Sequence, residues 1–106
     1  MENETYVETA RLRSPELPHR YLTVGLRADG DLVFEGQDLR PGLPEYEYVV
    51  TVRAADVPEL MRVVGAVSGR ELLDALVRRS EEIVPGVHGW LRGLGIPTEL
   101  WTHRSD

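Results

Sequence analysis

The chain of 106 residues contains neither cysteine nor lysine, and its apolar runs are only a few residues long. The lack of cysteine excludes disulfides, thiolate metal sites and a cysteine nucleophile. The short apolar runs predict no membrane-spanning helix, which would need about 20 apolar residues. The 12 basic residues are all arginine and stand against 18 acidic residues, which gives a net charge of −6. We therefore expect neither nucleic acid nor a membrane surface as a partner.

The rest of the composition is typical of a folded domain. Hydrophobic residues make up 42% of the chain, which is enough to build a core. A chain of this length usually forms one domain, so we predict a single domain over residues 1–106, with residues 1–18 either irregular or an edge strand. The N-terminus is acidic and lacks the apolar segment of a signal peptide, and we expect a cytoplasmic protein.

The first half of the chain alternates apolar and polar residues with the period of β-strands. Between the second and third strands, a three-residue turn ending at Gly30 places Val24 opposite Phe34 and keeps one apolar face. A two-residue turn would split that face, so the longer turn is predicted. The predicted strands cover residues 5–13, 21–27, 31–36 and 46–53.

The second half of the chain has helical periodicity. Asp56 and Ser68 are each followed three residues later by glutamate, which indicates two capped helix starts. A short third helix is predicted over residues 85–94, and a final strand over residues 98–103. Strands followed by helices predict an α+β fold, with an antiparallel sheet of four or five strands and two or three helices packed on one face.

The densest polar segment surrounds the loop at residues 37–45. Its carboxylates are predicted to form an acidic surface that binds a basic partner. Two of them could instead perform acid–base chemistry or hold a hard cation. The simplest alternative is that these carboxylates lie on a solvent-facing surface of the sheet and bind no partner. The candidate partner-binding residues are Glu35, Asp38, Glu45 and Glu47.

A second candidate site combines aromatic residues with a histidine and Asp38. A pocket between the sheet and the helices would bring together Tyr46, Tyr48, His88 and Trp90. Packing in the core is the simpler interpretation of the two tyrosines, since they continue into an apolar strand.

The tryptophans carry a further prediction. Trp101, with its neighbour Leu100, is expected to pack the final strand against the sheet. An exposed tryptophan would instead mark an interaction patch.

The sequence contains no serine, histidine or glycine spacing that matches a known catalytic, metal-binding or phosphate-binding motif. We therefore predict no catalytic residue, no metal ligand and no cofactor. This favours a binding protein over an enzyme.

The order of these features resembles a group of small uncharacterised bacterial proteins from high-GC, actinobacterial-type genomes. Some of that group are similar to immunity proteins of polymorphic toxin systems. The resemblance covers about residues 20–103 and rests on Asp29-Gly30, Gly-Gln-Asp-Leu at 36–39, Glu-Tyr-Glu-Tyr at 45–48 and Glu-Leu-Trp at 99–101. It implies an α+β domain that binds and neutralises a partner protein.

Three functions remain open from the sequence. The first hypothesis is a non-enzymatic protein-binding module, an immunity-like inhibitor whose acidic surface blocks a basic site on another protein. The alternatives are a small-molecule-binding protein or enzyme with a pocket between sheet and helices, and a homodimeric structural protein. A monomer and a homodimer are both compatible with the sequence.

Overall fold

A computed structural model describes residues 6–104. The acidic N-terminus and the first residue of the predicted strand 5–13 lie outside the described residues. A 3₁₀ turn at Ala54–Asp56 precedes the first helix. The strands and helices are β1 (Tyr6–Leu12), β2 (Arg20–Arg27), β3 (Leu32–Asp38), β4 (Tyr46–Val52), α1 (Val57–Val64), α2 (Gly69–Arg78), α3 (Ser80–Ile83), α4 (Val87–Gly93) and β5 (Glu99–Arg104).

The strands form one antiparallel sheet in the order β1-β2-β3-β4-β5. Each strand pairs with its neighbour in the chain, as sequential connections favour. The helices lie between β4 and β5 in the chain and pack on one face of the sheet. This confirms the predicted α+β class. The second predicted helix is interrupted at Arg79 and continues as the single turn α3.

The hairpin between β2 and β3 has the predicted register. Val24 pairs with Phe34, and Gly30 has a φ of 96°, the left-handed conformation that the turn requires. The Gly30 amide donates to the Arg27 carbonyl at 2.9 Å, which closes the three-residue turn. The prediction from strand parity is therefore confirmed.

The core lies between the sheet and the helices. Strands contribute alternate residues, whereas helices contribute residues three or four positions apart. In the described part of the chain, the largest fully buried side chains are Phe34, Leu12, Leu22, Leu32, Leu60, Leu72, Leu73, Leu76, Ile83, Leu91, Val24 and Val50.

One of the two predicted helix caps is confirmed with its side-chain hydrogen bond. The Ser68 hydroxyl accepts a hydrogen bond from the Glu71 amide at 3.1 Å at the start of α2. Asp56 is the N-cap residue of α1, as predicted, but its side chain makes no capping hydrogen bond, because the residue also ends the preceding 3₁₀ turn. The Asp31 carboxylate instead accepts from the Ala54 amide at 2.8 Å and fixes the start of that turn.

The other face of the sheet, called the open face below, is not covered by α1–α4. Trp101 pairs with Val49 and lies on this face with 53% of its surface exposed, and Leu100 on the helix side is 48% exposed. β5 joins the sheet by pairing with β4, as predicted, but neither of these two side chains is buried, because β5 is an edge strand whose described residues are all exposed. Within residues 6–104, no helix combines the length and apolar character needed to cross a membrane.

Candidate functional site

The strand register arranges the open face in rows of adjacent side chains. Two carboxylates lie at its centre, on β3 and β4, with aromatic residues on β2 and β5 on either side. Because neighbouring strands are about 4.8 Å apart, the aromatic residues stand about 14 Å apart across the sheet. One row consists of Arg11, Thr23, Glu35, Val49 and Trp101, and the next of Tyr21, Gln37, Glu47 and His103.

Neutral donors orient the two central carboxylates. The Tyr6 hydroxyl donates to Glu35 Oε2 at 2.7 Å, and the Gln37 amide donates to Glu47 Oε2 at 3.1 Å. No ion pair joins either carboxylate to a cation within residues 6–104. Both therefore keep their negative charge available on the surface of the sheet.

Aromatic residues border these carboxylates on both sides. Tyr21 is 51% exposed, and the ring of Trp101 stacks on that of His103 with centroids 5.9 Å apart and planes at 11°. Between them lies a depression of about 330 Å³, lined by both aromatic side chains and by Glu35 and Glu47. We call this depression the acidic groove.

Many of the other carboxylates are neutralised by arginine. The distances between arginine nitrogen and carboxylate oxygen in these ion pairs are 2.5–3.9 Å. Glu35 and Glu47 in the acidic groove are not among these paired carboxylates. The arginine-paired carboxylates in the described chain are Glu8, Asp31, Asp38, Glu59, Asp74 and Glu99.

The structure divides the four carboxylates that the sequence groups together. Glu35 and Glu47 point from the open face. Asp38, which pairs with Tyr46, lies on the helix side and is only 9% exposed. Glu45 is exposed in the loop before β4. The sheet therefore brings two of these residues together and places the other two elsewhere.

The second candidate site lies on the helix side. A cavity of about 290 Å³ there is lined by Asp38, Tyr46, Tyr48 and His88. We call it the helix-side cavity. Trp90, the remaining candidate, does not line it and packs half-buried against the core.

Tyr48 owes its position in the cavity wall to a glycine. An added Cβ on Gly36, directly opposite on β3, would lie 2.1 Å from Cζ of the Tyr48 ring, so only glycine lets the ring lie across the strand. Burial raises the pKa of the Tyr48 phenol above its ordinary value of 10.0, and the charge of Arg20 opposes this shift.

This raised pKa predicts a change of stability in alkaline solution. The folded protein holds the Tyr48 proton more tightly than the unfolded chain does. The contribution of this proton to the free energy of unfolding is therefore fully present below pH 10. The free energy of unfolding then falls as the pH rises through the raised pKa. We expect phenolate absorbance to show an ionisation above the ordinary range of tyrosine, which belongs to Tyr48. Tyr48→Phe should abolish this late step, and an unchanged titration in that variant would contradict the assignment.

Sequence reasoning missed the aromatic border of the acidic groove. The alternation along β2 places Tyr21 on the other side of the strand from its apolar residues. The alternation around Trp101 allows its side chain to lie on either face of the sheet. The signal was therefore present for Tyr21. For Trp101, the register of β4 with β5 was needed.

Comparison with models of protein families, with curated proteins and with solved structures gives no match for this chain. Among residues 6–104, there is also no group of three or more histidine, aspartate or glutamate side chains that could hold a metal ion. The geometry of the two sites is therefore the basis for a proposed function.

Proposed function

We propose that the protein is a non-enzymatic protein-binding module that receives a cationic segment of another protein in the acidic groove. The observation that carries the proposal is the pair Glu35 and Glu47, which are diagonal neighbours on the sheet face that α1–α4 leave uncovered and which form no ion pair with an arginine. Unpaired carboxylates on a sheet face attract a partner of opposite charge and orient its approach.

The aromatic border supports the same kind of partner. Arginine and lysine side chains pack on the faces of tryptophan and tyrosine rings through cation–π attraction. Trp101 and Tyr21 offer such rings beside the carboxylates, and aromatic residues are enriched at protein interfaces. A phosphate backbone would meet the two carboxylates instead, which disfavours nucleic acid.

An immunity-like inhibitor would use this surface by covering a basic site on its partner. The partner's arginine or lysine residues would then be paired with Glu35 and Glu47 and lost to any substrate. The resemblance to immunity proteins and the net charge of −6 both agree with this mechanism.

An arginine–serine peptide serves as the test ligand, with a glutamate–serine peptide of the same length as its counterpart. The fluorescence of exposed Trp101 reports binding. We expect saturable binding of the arginine peptide that weakens with salt, because exposed charges are screened. The double variant Glu35→Gln/Glu47→Gln should bind about tenfold more weakly, because two charge-assisted contacts are lost.

The matched control is Glu81→Gln/Glu82→Gln, which removes the same charge from the exposed surface of α3. It should retain the wild-type affinity within about twofold, because this change lies away from the groove. Equal losses in both double variants, or equal binding of the two peptides, would contradict the proposal. A dimer detected by light scattering, and lost when Trp101 is replaced, would also contradict the proposal, because a second copy of the chain would then occupy the open face.

A further inference from the structure

Three arginines meet at one end of the sheet, on the helix side. Arg20 begins β2, Arg40 follows β3 and Arg104 ends β5, and all three line a depression of about 410 Å³. Asp38 is the one carboxylate among its lining residues. This corner therefore has an excess of positive charge on a protein whose net charge is −6.

The buried Asp38 carboxylate orients two of these arginines. Its oxygens lie 3.5 Å from Nε of Arg20 and 3.4 Å from Nε of Arg40. Arg20 also donates through Nη1 to the carbonyl of Pro85 at 2.7 Å, which ties the guanidinium to the turn before α4. A buried carboxylate needs one cation for neutrality, so the second arginine is a surplus charge held in place.

Arg104 adds a third positive charge to this corner. Its guanidinium lies over the ring of Tyr46, 5.7 Å from the centroid. No described carboxylate forms an ion pair with it. Arginine groups positioned in this way bind carboxylate and phosphate groups through paired hydrogen bonds.

The helix-side cavity adjoins this depression and has a different character. The two share Arg20, Asp38 and Tyr46 in their walls. The cavity continues along Tyr46 and Tyr48, whose ring centroids are 6.0 Å apart, toward His88. A charged compartment thus opens directly into an aromatic one, the arrangement expected of a small-molecule site in which a few polar groups orient an apolar body.

We propose that this corner binds a small organic anion. Arg20, Arg40 and Arg104 hold its carboxylate or phosphate group, and an attached ring packs against Tyr46 and Tyr48. This site is separate from the acidic groove, which lies on the other face of the sheet and has the opposite charge. Occupation of either site therefore does not require the other.

Calorimetric titration with phenyl phosphate, benzoate and inorganic phosphate tests the proposal. We expect saturable binding of at least one of the two aromatic anions, and tighter binding of phenyl phosphate than of inorganic phosphate. If phenyl phosphate binds more tightly than benzoate, the ligand is a phosphate; if benzoate binds more tightly, it is a carboxylate. Arg40→Gln and Arg104→Gln should each weaken binding about tenfold, because each removes a charge-assisted contact.

Arg78→Gln is the matched control, because Arg78 is exposed on α2 and the variant carries the same change of charge. It should bind as the wild type does. Equal affinities of Arg104→Gln and Arg78→Gln would overturn the site, as would the absence of saturable binding of both aromatic anions. Equal binding of phenyl phosphate and inorganic phosphate would overturn the assignment of the ring to the tyrosines.

Discussion

Phe34→Ala is expected to lower the free energy of unfolding by about 3–5 kcal/mol. Phe34 lies at the middle of the central strand β3, where it pairs with Val24 and Val50, and none of the three is exposed. Truncation removes the only phenylalanine of the chain and leaves a cavity that a paired sheet cannot close. Domains of this size are stable by about 5–15 kcal/mol, so a large part of the total would be lost.

Urea unfolding followed by tryptophan fluorescence measures this effect. Leu43→Ala is the control, because Leu43 lies in the loop before β4 and is 54% exposed. It should change the free energy of unfolding by less than about 0.5 kcal/mol. A loss below about 1 kcal/mol for Phe34→Ala would contradict the core described here.

Gly36→Ala is expected to cost about 1–3 kcal/mol, since the added methyl group occupies the space of the Tyr48 ring. The ring would have to leave the wall of the helix-side cavity. We therefore also expect the late tyrosine ionisation to move toward its ordinary value. These two effects should appear together, because both follow from the same displaced ring.

Gly93→Ala provides the matched control for Gly36→Ala. Gly93 ends α4, and apart from the adjoining residues and backbone of its own helix no described heavy atom would lie within 4 Å of its added Cβ. This variant should be neutral or up to about 1 kcal/mol more stable, because alanine favours the helix. Equal stabilities of the two variants, with unchanged tyrosine titration, would show that Tyr48 does not depend on Gly36.

The local pattern of apolar and polar residues was sufficient to predict most of the fold. The parity of apolar residues around Gly30 determined the β2–β3 register, because a shift by one residue would have exposed Phe34. The N-terminal cap of α2 at Ser68 could also be predicted from the sequence. The missing side-chain cap at Asp56 has a tertiary cause: the hydrogen bond from the Ala54 amide to Asp31 begins a 3₁₀ turn that includes Asp56, and no local sequence pattern specifies this contact.

The candidate sites were less predictable than the fold. Alternation predicts that Glu45 and Glu47 point the same way, but the loop ends before Tyr46, so Glu45 is not part of the strand. Asp38 has the same parity as Phe34, which places it on the helix side. One of its arginine partners, Arg40, is two residues away, but the other, Arg20, comes from the neighbouring strand β2. The pairing of Glu47 with His103 at β5 likewise depends on the complete sheet.

The most direct test of the proposed function is chemical-shift mapping of the protein during titration with the arginine–serine peptide. We expect the largest changes at the amides of Thr23, Glu35 and Glu47 and at the indole of Trp101, with α2 and α3 unaffected. Changes concentrated on the helices, with the acidic groove unaffected, would contradict the proposed function.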